Sequence, residues 1–99
     1  TSVEVAREMA LGALQDSTAT VAVATTGILG PEDVDGIPAG TICFAWAFQS
    51  KGAKEVFSIE QHFVGTRCQV QRQATEYALR QIPHFHRRVM RSEPGQADE

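Results

Sequence analysis

The stretch Val21-Ala22-Val23-Ala24-Thr25-Thr26-Gly27-Ile28-Leu29-Gly30-Pro31 runs smoothly apolar, then breaks into hydroxyls, two glycines and a proline. Glycine lets backbone N–H groups come close to a ligand, and threonine hydroxyls add hydrogen bonds. Thr26, Gly27 and Gly30 are therefore candidate ligand contacts. The same residues also suit a tight turn that needs positive φ.

A second group is Gly65-Thr66-Arg67, followed by Gln69. Thr66 and Gln69 have the spacing of a capping box, so a helix starts here. A helix start offers free N–H groups and partial positive charge. Arg67 opposes the dipole of its own helix, where an acid is preferred, and this points to an anion nearby. The alternative is an arginine simply solvated at the surface.

Other polar groups carry less. Glu32-Asp33-Val34-Asp35-Gly36 has a fragment of a calcium loop but lacks the later ligands. His84-Phe85-His86 has no third metal ligand in view, and Ser58 has no His/Asp partner at a suggestive spacing. Cys43 and Cys68 form no CxxC or zinc pattern, and a reduced setting is the simpler reading. No metal and no cofactor are expected.

These candidates need elements to position them. Thr1 with Glu4 fits a capping box for a helix over 2–15, whose apolar stripe is Val5, Ala6, Met9, Ala10, Ala13 and Leu14. Val21–Thr25 is β-branched and apolar on both faces, which predicts a central strand covered by helices on both sides. Loops leaving the carboxyl ends of such strands are where open α/β sheets bind ligands. Strands are predicted over 41–48 and 55–64, joined by a turn at Gly52; the second alternates and has one wet face. A helix over 66–82 buries Val70, Ala74, Tyr77 and Ala78, with a kink or restart at Pro83. Residues 1–91 form one domain, and 92–99 are a flexible polar tail.

The chain has 99 residues, enough for one domain and too few for two. Its net charge of −3 disfavours a general nucleic-acid binder, although Arg80, Arg87, Arg88 and Arg91 crowd the last quarter. No apolar stretch approaches a membrane-spanning length.

In order, "AREMALGAL", "VAVATTGILGP", "IPAGTICFAWA" and "HFVGTRCQVQRQATEYAL" resemble the C-terminal domain of the CinA (competence/damage-inducible) family, from about Glu4 to about Ile82. The resemblance implies an α/β fold, a three-layer α/β/α sandwich seen here as helix-strand-strand-strand-helix. It implies an amidohydrolase that converts nicotinamide mononucleotide into nicotinic acid mononucleotide and ammonia, in cytoplasmic pyridine nucleotide recycling. It also implies assembly as a homo-oligomer. The family's serine, tyrosine and lysine lie around a Ser-Cys-Thr-Gly-Gly stretch that is not among these residues, so no catalytic residue is assigned and neither Tyr77 nor Ser58 is a substitute. Thr26, Gly27 and Gly30 match the family's loop and Arg67 its arginine, which implies substrate binding. Two departures stand out: acids occupy 32, 33 and 35 where the family has glycine and then Lys-Pro, and Gly-Thr-Arg replaces Gly-Asp-Arg. The alternative is a diverged, catalytically silent nucleotide-binding or assembly module.

Overall fold

Thr41 to Phe48 is uninterrupted by charge, glycine or proline, and every residue in it is buried. A strand apolar on both faces needs cover on both faces, and the chain supplies one helix for each. The computed structural model describes residues 2–15, 20–27, 36, 38–50 and 52–91. Helix α1 (Val3–Gln15) precedes strands β1 (Val21–Gly27), β2 (Thr41–Ser50) and β3 (Ala53–His62), and helix α2 (Arg67–Arg91) follows. The sheet is antiparallel in the order β1-β2-β3.

The two faces of β2 differ in size, and this sets what packs on each. Cys43, Ala45 and Ala47 meet Ala6, Ala10 and Leu14 of α1, with Ala24 of β1. Small residues on both sides let helix and sheet approach closely. Ile42, Phe44, Trp46 and Phe48 point the other way and meet Val70, Ala74, Ala78, Phe85 and Val89 of α2. The rings of Trp46 and Phe85 lie 4.8 Å apart, those of Phe57 and Phe85 4.6 Å apart. The Trp46 indole N–H donates to the carbonyl of Ala78 at 2.9 Å, which fixes α2 over the sheet.

Several expectations need correction. The central strand is β2, and β1 lies at an edge of the described sheet; Val21 and Val23 remain 37% and 36% exposed. A short apolar run reads the same whatever covers it, and among the described residues β1 joins only the cluster on the α1 side, through Ala22 and Ala24. The α1 stripe is narrower than its apolar residues suggest. Ala6, Ala10 and Leu14 are buried, whereas Val5 and Met9 are 44% and 48% exposed, because one sheet touches only one side of the helix. The cap of α1 is Ser2, whose hydroxyl accepts from the Val5 N–H at 3.2 Å; Thr1 lies outside the described residues.

Helix α2 does not stop at Pro83 but continues to Arg91. Proline there removes the N–H that would bond the Leu79 carbonyl. Leu79 is 61% exposed, so water can reach that side of the helix. The two turns beyond are held by buried Phe85 and Val89 and by the Arg88 guanidinium, 5.0 Å from the Phe57 ring centroid. Packing outweighs the roughly 3 kcal/mol a helical proline costs. The tail over 92–99 lies outside the described residues.

The alternation expected in β3 is present. Phe57 and Ile59 pack under α2, while Val56 packs on the α1 side. Gly52 turns the β2–β3 hairpin with φ of 79°.

Candidate functional site

The antiparallel register brings three strand ends together. Gly27 at the carboxyl end of β1 pairs with Ile42, and Thr41 beside it pairs with His62 at the end of β3. Helix α2 begins five residues after His62. The carboxyl end of β1, the start of β2 and the start of α2 thus share one edge of the sheet.

Two neighbouring depressions open along this edge. One, about 470 Å³, is lined by Thr25, Thr26, Gly27, Ile42, Gln71, Ala74 and Thr75. The other, about 310 Å³, is lined by residues 39–40, 62–67 and Val70, and so includes His62 and Arg67. Thr26 and Gly27 therefore line one depression and Arg67 the next, one helical turn from Gln71. Gly30 and the acidic residues 32, 33 and 35 lie outside the described residues.

The segment before α2 is well braced. The Thr66 N–H donates to Gln69 Oε1 at 2.8 Å, and the Gln69 N–H donates to Thr66 Oγ1 at 3.2 Å. This is the capping box read from the sequence. Gln73 Nε2 donates to the Val64 carbonyl at 3.0 Å. Gly65 has φ of 136°, and a Cβ there would press on Gln69, 3.0 Å from its Cβ, so a side chain would disturb the cap. The cap engages the Gln69 N–H, and the helix itself leaves those of Arg67 and Cys68 unbonded. On the other wall, His62 Nε2 and the Ala39 carbonyl are 2.9 Å apart; the carbonyl only accepts, so Nε2 carries the proton.

Gly27 has a packing reason to be glycine as well as its place in the depression. A Cβ there would lie 2.6 Å from the Thr41 carbonyl and collide with the Ile42 side chain. The space is filled by β2, and the missing side chain permits strand pairing. Register also separates the two threonines. Thr25 pairs with Phe44 and faces the α2 side; Thr26 pairs with Cys43 and faces the α1 side. Gln71 and Thr75 are lining residues that sequence reasoning missed. Arg67, Gln71 and Thr75 recur every fourth residue along one flank of a helix, a signal the sequence contained.

Tyr77 and Ser58 are on opposite sides of the sheet. The Tyr77 hydroxyl accepts from Gln61 Nε2 at 3.2 Å, and Ser58 Oγ is 3.4 Å from Arg7 Nη1. Neither forms a pair fit for nucleophilic chemistry. Cys43 is fully buried, 3.8 Å from a Glu60 carboxylate oxygen; burial, then that carboxylate, pushes its thiol pKa up, so it is a poor nucleophile. Among the described residues no cluster of three or more His, Cys, Asp or Glu could hold a metal ion. No described helix is long and apolar enough to cross a membrane.

Residues 1–86 match the model of the CinA C-terminal domain. The chain belongs to this family. It is 40% identical over 82 residues to Protein YdeJ of Escherichia coli K12, covering 82% of this chain and 45% of that protein. It is 42% identical over 76 residues to the nicotinamide-nucleotide amidohydrolase PncC of the same strain, covering 76% of this chain and 44% of PncC. Among solved structures, a competence or damage-inducible protein from Enterobacter asburiae superposes with a TM-score of 0.73 at 31% identity, over 83% of this chain and 50% of that one. The chain thus spans about half the length of these relatives. The CinA resemblance read from the sequence holds, with the α/β fold it implied.

Proposed function

We propose that this CinA-type chain provides the nucleotide-holding part of an amidohydrolase that cleaves the carboxamide of nicotinamide mononucleotide, releasing ammonia. The observation that carries this reading is the 42% identity to PncC over a stretch that includes both edge depressions. The roles follow from chemistry. Arg67, with the N–H groups at the start of α2, suits the phosphate: a guanidinium grips phosphate oxygens in a planar fork, and the helix start adds positive potential. Thr25 and the backbone of Thr26 and Gly27, together with Gly30, suit the rest of the nucleotide. No described residue takes the nucleophile's role. The reading includes a cytoplasmic setting in pyridine nucleotide recycling and a homo-oligomeric state, with neither nucleic acid nor membrane as partner.

The test is calorimetric titration of nicotinamide mononucleotide and of nicotinamide riboside, which lacks the phosphate. Arg67→Ala is expected to weaken the mononucleotide by about 1.5–3 kcal/mol, the range for hydrogen bonds to charged groups, and to leave the riboside unchanged. Arg67→Lys should restore part of the loss, since an ammonium lacks the fork. Equal weakening of both ligands, or of neither, refutes the phosphate role and favours the silent assembly module.

A further inference from the structure

Among the residues lining its depression, Arg67 has one companion able to carry positive charge. His62, the last residue of β3, lines the same space with Ala39, Gly40 and Thr66. Its ring is anchored at one nitrogen. Nε2 donates to the Ala39 carbonyl at 2.9 Å. That carbonyl belongs to a segment pinned at the end of the sheet. The Phe63 N–H donates to the Gly40 carbonyl at 2.9 Å, and the Thr41 N–H to the Pro38 carbonyl at 3.2 Å. Gly40 permits the close fit. Its φ is 92°, and a Cβ there would collide with the Phe63 carbonyl and come within 3.5 Å of His62 Nε2.

With Nε2 committed to Ala39, Nδ1 is the remaining ring nitrogen, and no described residue bonds to it. In the neutral ring Nδ1 presents a lone pair; in the charged ring both nitrogens donate. Gaining a proton therefore keeps the Ala39 bond and changes only what Nδ1 offers. The ionisable groups around His62 come from three elements. Glu60, two residues back on the same face of β3, has a carboxylate oxygen 3.8 Å from the Cys43 sulfur of β2, and Glu4 of α1 acts on that thiol as well. Arg7 of α1 is engaged farther along, at Ser58. Helix α2 opens with Arg67 and Cys68, and residues 38–41 carry no charge.

We propose that His62 is a specificity-determining contact of this depression, a second cationic partner with Arg67 for a phosphomonoester dianion, whose hold tightens as pH falls. The inference rests on the nucleotide reading of the Arg67 depression. A dianion set between a guanidinium and an imidazolium meets a donor for each charge, the planar fork of Arg67 and the Nδ1–H of His62. An uncharged ribose hydroxyl gains little from either. The depression then separates a mononucleotide from its nucleoside by two groups instead of one. Imidazoles exchange this proton between about pH 5 and 8, so the second contact strengthens as pH falls through that range.

The experiment titrates nicotinamide mononucleotide and nicotinamide riboside calorimetrically at about pH 6 and about pH 8. It compares the parent with His62→Gln, His62→Ala and Arg67→Ala. The phosphate itself takes up a proton near about pH 6, so the readout is the parent against His62→Gln, whose amide can keep the Ala39 bond but cannot become charged. At the lower pH the parent should bind the mononucleotide about threefold or more tighter than either His62 variant. At the higher pH parent and His62→Gln should agree within about twofold, and riboside affinity should not change. A parent-to-Gln ratio that is the same at both pH values overturns the proposal, as does a variant that binds like the parent throughout. Equal loss for both ligands also overturns it and leaves His62 as a prop for residues 38–41. Arg67→Ala keeps the two readings apart. If it weakens the mononucleotide selectively while the His62 variants do not, only the His62 role falls. If it spares both ligands, the phosphate reading has failed and the His62 role falls with it.

Discussion

Trp46→Phe tests the link that places α2 over the sheet. Trp46 is fully buried and its indole N–H donates to the Ala78 carbonyl at 2.9 Å. Phenylalanine keeps a ring between Phe44 and Phe85 but removes the donor. In a helix the Ala78 carbonyl also receives the Ile82 N–H, so it is not orphaned, and the lost bond costs about 0.5–1.5 kcal/mol. The void left by the missing pyrrole ring adds about 1 kcal/mol. The sum, about 2 kcal/mol, is a large share of the 5–15 kcal/mol that typically holds a domain. With a urea slope of about 1–3 kcal/mol per molar, the midpoint should fall by about 1 M. Trp46 is the only tryptophan, so far-UV circular dichroism is the probe, repeated at two protein concentrations to expose association. Trp46→Ala should cost about 3–5 kcal/mol. A Trp46→Phe protein within about 0.5 kcal/mol of the parent would refute the claim that this bond and its packing fix α2, since that is the scatter of surface substitutions.

Other outcomes follow from the same geometry. Gly27→Ala should destabilise the fold by about 1–3 kcal/mol in chemical denaturation, because its Cβ meets the Thr41 carbonyl; unchanged stability would refute the packing reason for this glycine. Cys68, exposed, should label with a thiol reagent in the native chain, while buried Cys43 should label only on unfolding. The Cys43 thiol pKa is raised in the folded state, so the unfolded chain loses that proton first; its contribution is intact below the ordinary thiol pKa and is lost as pH climbs through the raised one. A denaturation midpoint that rises over that alkaline window would contradict this. The chain should self-associate as its concentration rises, since Val21, Val23, Leu79 and Met90 are exposed; light scattering that shows a monomer across that range would count against this.

Local chemistry determined much of this protein. The Thr66–Gln69 box, the turn at Gly52 and the alternation of β3 were readable because each depends on neighbours a few residues away. The family was readable because its motifs keep their order along the chain. What only the tertiary structure decided was cover and adjacency. Val21–Thr25 looks as central as Thr41–Phe48 in sequence, yet among the described residues β2 lies under both helices and no β1 residue joins the cluster beneath α2. Pro83 reads as a kink or a restart, and only the burial of Phe85 and Val89 beyond it explains why one helix goes on to Arg91. Register, which no residue type encodes by itself, put Thr25 rather than Thr26 on the α2 side and set Gly27 against Thr41. Hydrogen-bonding and capping preferences are short-range and survive in the linear chain. Which face is wet depends on what packs there, and that exists only once distant segments meet.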